Sequence, residues 1–325
     1  MKYCIIVTGG TGFIGQTLVR KLEQRLASDT AILPMTIIPV GSSDTNLTDA
    51  SDTFDFFRKV TSEYQCLYLF HLAALYKAGG WPINHPATQF FINLSMNVNV
   101  LEAWWRYCPK ARLTSILSYC MYPPGDNAHP ESELWGTEPE EYLYSYAMTK
   151  KALVVGQRAY SQEHGMESCG VLLPTVYGPN DRFMEDSHVM GALIGKFVRA
   201  TRFGYPTVEV WGDGEQEREF LYVDDAVDGI IAIAQRVRPD IFNLGTGHSN
   251  TIRSIVEIIQ EKTGFKGDVI YNTERFVGVK KRRLDISYIS RGLGWNFSTN
   301  LKDGIYRTVD WYVQELDKNP AKKNM

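Results

Sequence analysis

Residues 3–15 read YCIIVTGGTGFIG, and a helix-forming run, FIGQTLVRKLEQRL, overlaps its end at residue 13. Residues 3–8 are short, apolar and β-branched, which suits a strand buried on both faces. Gly9, Gly10, Gly12 and Gly15 then crowd into one turn, and Ile14, Leu18 and Leu22 recur beyond it at helical spacing. Glycines at such a turn let the backbone bend sharply and approach a pyrophosphate. The helix that follows presents unbonded amides and a partial positive charge at its N-terminus. A glycine pattern alone is common; its place between a strand and a helix gives it meaning. Gly9, Gly12, Phe13, Ile14 and Gly15 are therefore predicted to hold a dinucleotide.

Outward from this unit the alternation continues. MTIIPV (35–40), CLYLFHLAA (66–74), LTSILS (113–118) and MESCGVLLP (166–174) read as strands, and 51–64, 90–107 and 144–163 as helices. Near-continuous apolar strands separated by helices predict an α/β fold with a Rossmann-type, doubly wound parallel sheet. After Gly178-Pro179 the pattern loosens, with a later helix over 251–264 and a basic stretch VKKRRLD at 279–285. This predicts a smaller C-terminal α/β substrate lobe. The expected division is 1–175 for the dinucleotide-binding domain with a returning segment at about 209–236, 176–208 and 237–318 for the lobe, and 319–325 as a tail.

Composition narrows the partners. With 44% hydrophobic and 22% charged residues, the 325-residue chain has ample material for a globular core. Its net charge of −3 arises from interspersed residues, which gives no footprint for nucleic acid or a membrane surface. No run reaches the roughly 18 apolar residues of a membrane helix. Five scattered cysteines without a CxxC pair point to a reducing compartment, hence the cytoplasm, and no metal site is expected.

Cofactor choice is read at the end of the second strand, where a carboxylate would bind a ribose diol and repel a phosphate. Val40-Gly41-Ser42-Ser43 has none before Asp44, and Ser42 and Ser43 can bond a 2′-phosphate, which favours NADP (NADPH). Asp49 is placed either for the adenine ring or as a solvated loop carboxylate. Tyr146 and Lys150 fall one turn apart on a helix, and Ser118 ends a strand at the sheet edge where such folds bind ligands. A nearby ammonium would lower the phenol pKa so that Tyr146 protonates a carbonyl as hydride arrives, with Ser118 bonding the same oxygen.

The glycine turn, His71-Leu72-Ala73-Ala74, the Ser118, Tyr146 and Lys150 set, Tyr177-Gly178-Pro179 and the run from Arg218 to Asp225 together resemble the extended short-chain dehydrogenase/reductase family. Ser118 to Pro123, Glu131-Ser132-Glu133-Leu134, Asn180-Asp181-Arg182-Phe183 and Ser187-His188-Val189 are similar to its GDP-L-fucose synthase branch, the epimerase-reductases of GDP-4-keto-6-deoxymannose. That resemblance implies that Leu72, Ala73, Ala74, Lys150 and Pro174 line the cofactor. It implies Cys120 as the base and His188 as the acid that invert carbons 3 and 5 of a 4-keto sugar. It also implies Thr175, Arg182, His188, Trp211, Arg218 and Arg282 as substrate contacts. Cysteine suits the base role because cations or amides can bring its pKa near neutral.

Thr175 replaces the family's asparagine, Arg282 its lysine, and Arg182-Phe183 its Asn-Phe. Another GDP-sugar, such as a heptose or colitose precursor, a plain carbon-4 reductase or epimerase, and a non-catalytic NADP sensor therefore stay open. The intact Ser118, Tyr146 and Lys150 speak against the sensor. Asn93 and Asn99 on the 90–107 helix either brace the active-site loop, help to bind the nucleotide or are surface amides. Trp104, Trp105 and the Val154 region leave two helices apolar on more than one side. In the family such helices form a four-helix bundle between subunits, so a homodimer is expected, although a covered monomer core would give the same pattern.

Overall fold

The computed structural model describes residues 2–28, 33–136, 138–236, 240–275 and 277–318; the expected tail at 319–325 lies outside them. Its first half runs β1 (Lys2–Thr8), α1 (Phe13–Ser28), β2 (Met35–Val40), α2 (Ala50–Glu63), β3 (Tyr64–His71), α3 (Trp81–Asn84), α4 (Pro86–Tyr107), β4 (Arg112–Ser118), α5 (Tyr144–His164) and β5 (Ser168–Leu173). The second half runs β6 (Thr175–Tyr177), α6 (Val189–Phe203), β7 (Thr207–Trp211), β8 (Glu217–Tyr222), α7 (Val223–Ala234), β9 (Ile241–Asn243), β10 (Ser249–Thr251), α8 (Ile252–Thr263), β11 (Asp268–Asn272), β12 (Lys281–Arg282), α9 (Ser287–Leu293) and α10 (Leu301–Lys318).

The large sheet has the order β2-β1-β3-β4-β5-β9, and every pairing in it is parallel. Parallel strands need crossovers, and here helices cover both faces. Phe57 of α2, Val100 and Trp104 of α4 and Leu153 of α5 pack on one face. Leu18 and Leu22 of α1, Val227 and Ile230 of α7 and Ile289 of α9 pack on the other. Every residue of β5 is buried, as a strand covered on both faces requires. Trp104 is fully buried and gives its indole N–H to the Ala111 carbonyl at 2.7 Å, so the bulkiest side chain of this layer leaves no polar atom unmet. Strand order reverses between β1 and β3, which opens a crevice at their C-terminal ends.

The second core lies among α6, α8, α10 and the β7–β11 pair, around Ile194, Phe197, Ile255, Ile259 and Ile305. A second, smaller sheet links the two cores: β8 pairs with β10, β12 and β6. The boundaries read from the sequence shift here at two strands. Ile241–Asn243, expected in the lobe, is the sixth strand of the large sheet, because Phe242 is buried in that sheet's core beside β5. Val208 and Val210 of β7 belong instead to the second core, although the returning segment was expected to begin near residue 209.

Candidate active site

The crevice opens into a cavity of about 870 Å³, lined by the glycine turn, the ends of β2 to β5, and residues of α5, α6, β7, β8 and β12. That size suits a sizeable organic ligand. At the cradle Gly9 has φ +73°, and a Cβ there would lie 2.7 Å from the Ala73 nitrogen. A Cβ at Gly15 would land on the Gly9 carbonyl oxygen. Only glycine lets the turn close this tightly on itself and on the segment after β3, the close packing that a dinucleotide cradle needs, so the turn fits a dinucleotide. β3 ends at His71, one turn earlier than its apolar run suggested, and Leu72, Ala73 and Ala74 pass over the cradle along the cavity wall.

Thr11, Ser42, Thr45 and Thr48 line the end of the cavity near β2. The Asp44 carboxylate accepts the Gly41 amide at 2.7 Å, which commits it to its own loop. The structure does not bring Ser43 or Asp49 to the cavity. Asp49 caps α2, accepting from the Asp52 amide at 3.0 Å, so of its two readings the solvated loop carboxylate holds.

Ser118 is the last residue of β4, and its hydroxyl accepts the Cys120 amide at 3.4 Å, starting a short 3-10 turn at Tyr119–Met121. β4 and β5 are in register at Ser118 and Leu173, which places Pro174 and Thr175 beside that turn. Tyr146 and Lys150 project from the first two turns of α5. The Lys150 ammonium donates to the Ile116 carbonyl of β4 at 2.8 Å and lies 5.7 Å from the Tyr146 ring centre. One lysine therefore ties the catalytic helix to the strand that carries Ser118. Ser118, Cys120, Tyr146, Lys150 and His188 all line the same cavity.

Electrostatics corrects two expectations. Burial pushes the Tyr146 phenol above its ordinary range, and the nearby Cys120 adds to this. The ammonium does not lower it as expected, because a buried phenolate loses more hydration than one cation some ångströms away returns. Burial also lowers Lys150 to about 8. The Cys120 thiol is likewise raised by burial, against the opposing pull of Ser118, Arg282 and Lys150, so it rests above neutrality and not near it. Burial and the Arg182 charge hold His188 at about 4, hence neutral.

The sequence reading missed Tyr76. Its ring stacks on His188 with centroids 4.8 Å apart and meets the Tyr146 ring at 5.2 Å, linking the expected acid to the expected proton donor. Only its position just after the Leu72–Ala74 stretch could have marked it. Thr175, Trp211, Arg218 and Arg282 line the cavity, whereas Arg182 is exposed and lies 3.6 Å from Asp186. Arg218 donates to the Glu217 and Val277 carbonyls at 2.8 and 2.9 Å and, among the described residues, forms no ion pair. Glu219, beside it, is a brace: its carboxylate takes the Thr246, Gly247 and Leu284 amides at 2.5, 2.9 and 2.7 Å. Asn93 bonds both the amide and the carbonyl of Leu75 at 2.9 Å, and Asn99 donates to the Leu47 carbonyl at 3.0 Å, so both brace cavity loops.

Comparison with known proteins matches this arrangement. Residues 5–245 fit the NAD dependent epimerase/dehydratase family. GDP-L-fucose synthase 1 of Arabidopsis thaliana is 32% identical, over 96% of this chain and 94% of its own. GDP-L-fucose synthase of Escherichia coli K12 is 29% identical over 98% of each. The crystal structure of a GDP-L-fucose synthetase from Naegleria fowleri bound to NADP superposes with a TM-score of 0.85 at 22% identity, covering 98% of this chain and 96% of that one. A doubly wound sheet, a glycine cradle, and a serine, tyrosine and lysine on one cavity thus accompany a match over most of the sequence, and the chain belongs to the NAD dependent epimerase/dehydratase family.

Proposed function

We propose that this protein is an NADPH-dependent epimerase-reductase of a GDP-linked 4-keto-deoxy sugar, converting GDP-4-keto-6-deoxymannose to GDP-L-fucose. The observation that carries it is the meeting of two sets of groups in one cavity: Ser118, Tyr146 and Lys150 for carbonyl reduction, and Cys120 with His188 for proton transfer. The names of the relatives that align along almost the whole chain support the substrate class.

The glycine cradle, Leu72–Ala74, Lys150 and Pro174 would hold the cofactor, and hydroxyls at Thr11, Ser42 and Thr45 suit an adenosine 2′-phosphate. A bound reduced nicotinamide would supply hydride to carbon 4. Tyr146, protonated at neutral pH, gives its proton to the carbonyl oxygen, and the Lys150 ammonium stabilises the phenolate left behind. Ser118 bonds the same oxygen. Before reduction, the keto group acidifies the protons on carbons 3 and 5. At each carbon in turn Cys120, as thiolate, takes the proton and His188, as imidazolium, delivers one to the opposite face, after which Cys120 loses its proton to solvent and His188 regains one before the second centre is inverted. Both residues rest in the other protonation form, so each turnover draws on a minor population, which the positive field of Arg282 and Lys150 enlarges on the thiolate side. Arg218 suits the diphosphate, since its guanidinium has no carboxylate partner among the described residues and can bind bidentately.

Residues 1–175, with α7 and β9, would form the cofactor half, and the core around α6, α8 and α10 the substrate half. Phe91 and Val98 of α4 and Val155 of α5 are exposed at 66, 49 and 54%, and a four-helix bundle in a homodimer would cover them. Five buried cysteines with no disulfide among the described residues fit a cytoplasmic protein. No helix among the described residues is long and apolar enough to cross a membrane. Following loss of reduced-nicotinamide absorbance with a panel of nucleotide-linked keto sugars tests the reading. GDP-4-keto-6-deoxymannose with NADPH should give the highest kcat/KM; turnover confined to sugars on another nucleotide would overturn it.

A further inference from the structure

Four side chains form a continuous line beside Cys120, and three of them, Thr175, Tyr119 and Arg282, are on the cavity wall. The Arg282 guanidinium donates to the Glu140 carboxylate at 2.6 Å, with their side chains only 5 and 15% exposed. It lies 4.9 Å from the centre of the Tyr119 ring, and the Tyr119 hydroxyl meets the Thr175 hydroxyl at 2.8 Å. Glu140 caps the 3-10 turn Glu141–Leu143 that runs directly into α5. The ion pair thus fastens the start of the catalytic helix to β12. Arg282 is also the register partner of Arg218 on β8, which puts two arginines side by side, of which Arg282 alone has a carboxylate among the described residues.

That asymmetry divides their labour. A buried guanidinium bonded to a carboxylate has donors already committed, and a diphosphate would have to break the pair to gain them. Arg218 bonds only neutral carbonyls, and Glu140 reaches it through its field without a bonded contact, so its donors stay open to an anion. We propose that Glu140 is a positioning residue: it holds Arg282 as a paired cation against Tyr119, which leaves the diphosphate to Arg218 and sets the Arg282 charge beside the Cys120 thiol. This deepens the GDP-sugar reading and rests on it. Around Cys120, α5 contributes Tyr146 and Lys150, the turn before it Tyr142, the segment after β3 Tyr76, β12 Arg282, and its own turn Ser118 and Tyr119; Lys150 and Arg282 are the cations that favour its thiolate.

The test is Glu140→Gln in the full chain, with two readouts: GDP affinity by calorimetry, and the pH dependence of Cys120 alkylation by iodoacetamide, with Cys120→Ala as the blank. Freed from its carboxylate, Arg282 should tighten GDP binding about tenfold, the order of one charge-assisted contact. It should also move the alkylation profile to lower pH, because its charge is no longer offset. A folded variant in which either readout stays at the parent value overturns the proposal. Should Glu140→Gln fail to fold, the double variant Glu140→Gln/Arg282→Gln carries no unpaired buried charge. In it GDP should bind no tighter than to the parent, and alkylation should move to higher pH. A tenfold loss of GDP affinity there, or an unmoved profile, overturns the proposal. A parent that does not bind GDP at all instead contradicts the GDP-sugar reading, and alkylation still decides the role of Glu140.

Discussion

Lys150 does two jobs that pull in different directions. Its hydrogen bond to the Ile116 carbonyl fixes α5 to β4, and in the proposed reduction its ammonium would stabilise the phenolate that Tyr146 leaves behind. Burial holds it at about 8, so the charge is present at neutral pH and is lost as pH rises through that value. Reductase kcat/KM should therefore fall above about pH 8, and Lys150→Arg, which cannot lose its charge, should lack that limb wherever it remains active. A parent profile level to pH 10 would contradict the assignment. Tyr146→Phe removes the proton donor and leaves the cradle intact, so reduction should fall on the order of 10²- to 10⁴-fold while NADPH affinity, read by fluorescence titration, stays near the parent value. Ser118, Tyr146 and Lys150 could be picked out from a strand end and a one-turn helical spacing, whereas Cys120 and His188 were marked only by the resemblance to the family. Tyr76 and Glu140 were not, since an aromatic ring or an acid in a loop takes on meaning only through a partner distant in sequence.

Among the elements, α4 shows what hydrophobic periodicity overlooks. Gln89, Asn93 and Asn97 recur every fourth residue and are all buried, forming a polar stripe inside an otherwise apolar layer. Asn97 meets the His71 ring at 3.1 Å and donates to the Thr149 carbonyl at 3.0 Å, so one amide joins the end of β3 to the helix bearing Tyr146 and Lys150. Asn97→Ala leaves those groups without partners. It should cost about 1–3 kcal/mol in denaturant unfolding and lower kcat more than it raises KM, because the helix moves and the substrate contacts remain. An unchanged kcat would show the stripe to be scaffolding alone. The first five strands of the large sheet were readable from apolar runs bounded by glycine and polar residues. β6, β10 and β12, of two or three residues each, were not, because such short segments carry no period and are defined by pairing with β8. The three-residue β9 escaped the sequence reading for the same reason.

At the scale of the whole molecule, two cores meet at a crevice that buries imidazoles without charging them. Burial, with the Lys150 charge at His71 and the Arg182 charge at His188, lowers both rings from 6.5 to about 4. The unfolded chain therefore binds more protons than the folded one between these values, and stability that is full above about pH 6.5 is lost as pH falls toward 4. Burial raises Asp181 to about 7, which opposes this contribution over the same range, so the rings are read directly: their NMR shifts should stay those of neutral imidazole down to pH 5, and charging near pH 6.5 would contradict the neutral rings. The exposed apolar side chains of α4 and α5 give a second whole-molecule expectation: Phe91→Glu with Val155→Glu should convert a dimer to monomer in sedimentation equilibrium, and a parent that is already monomeric would remove the four-helix bundle. The central claim is that Cys120 and His188 move protons at carbons 3 and 5 in the cavity where Tyr146 reduces carbon 4. Incubating the protein with GDP-4-keto-6-deoxymannose in heavy water without NADPH, and reading deuterium at each carbon by NMR, measures this directly. Deuterium should appear at both carbons with the parent and at neither with Cys120→Ala; a parent that reduces the sugar when NADPH is supplied yet places no deuterium at either carbon would contradict the account.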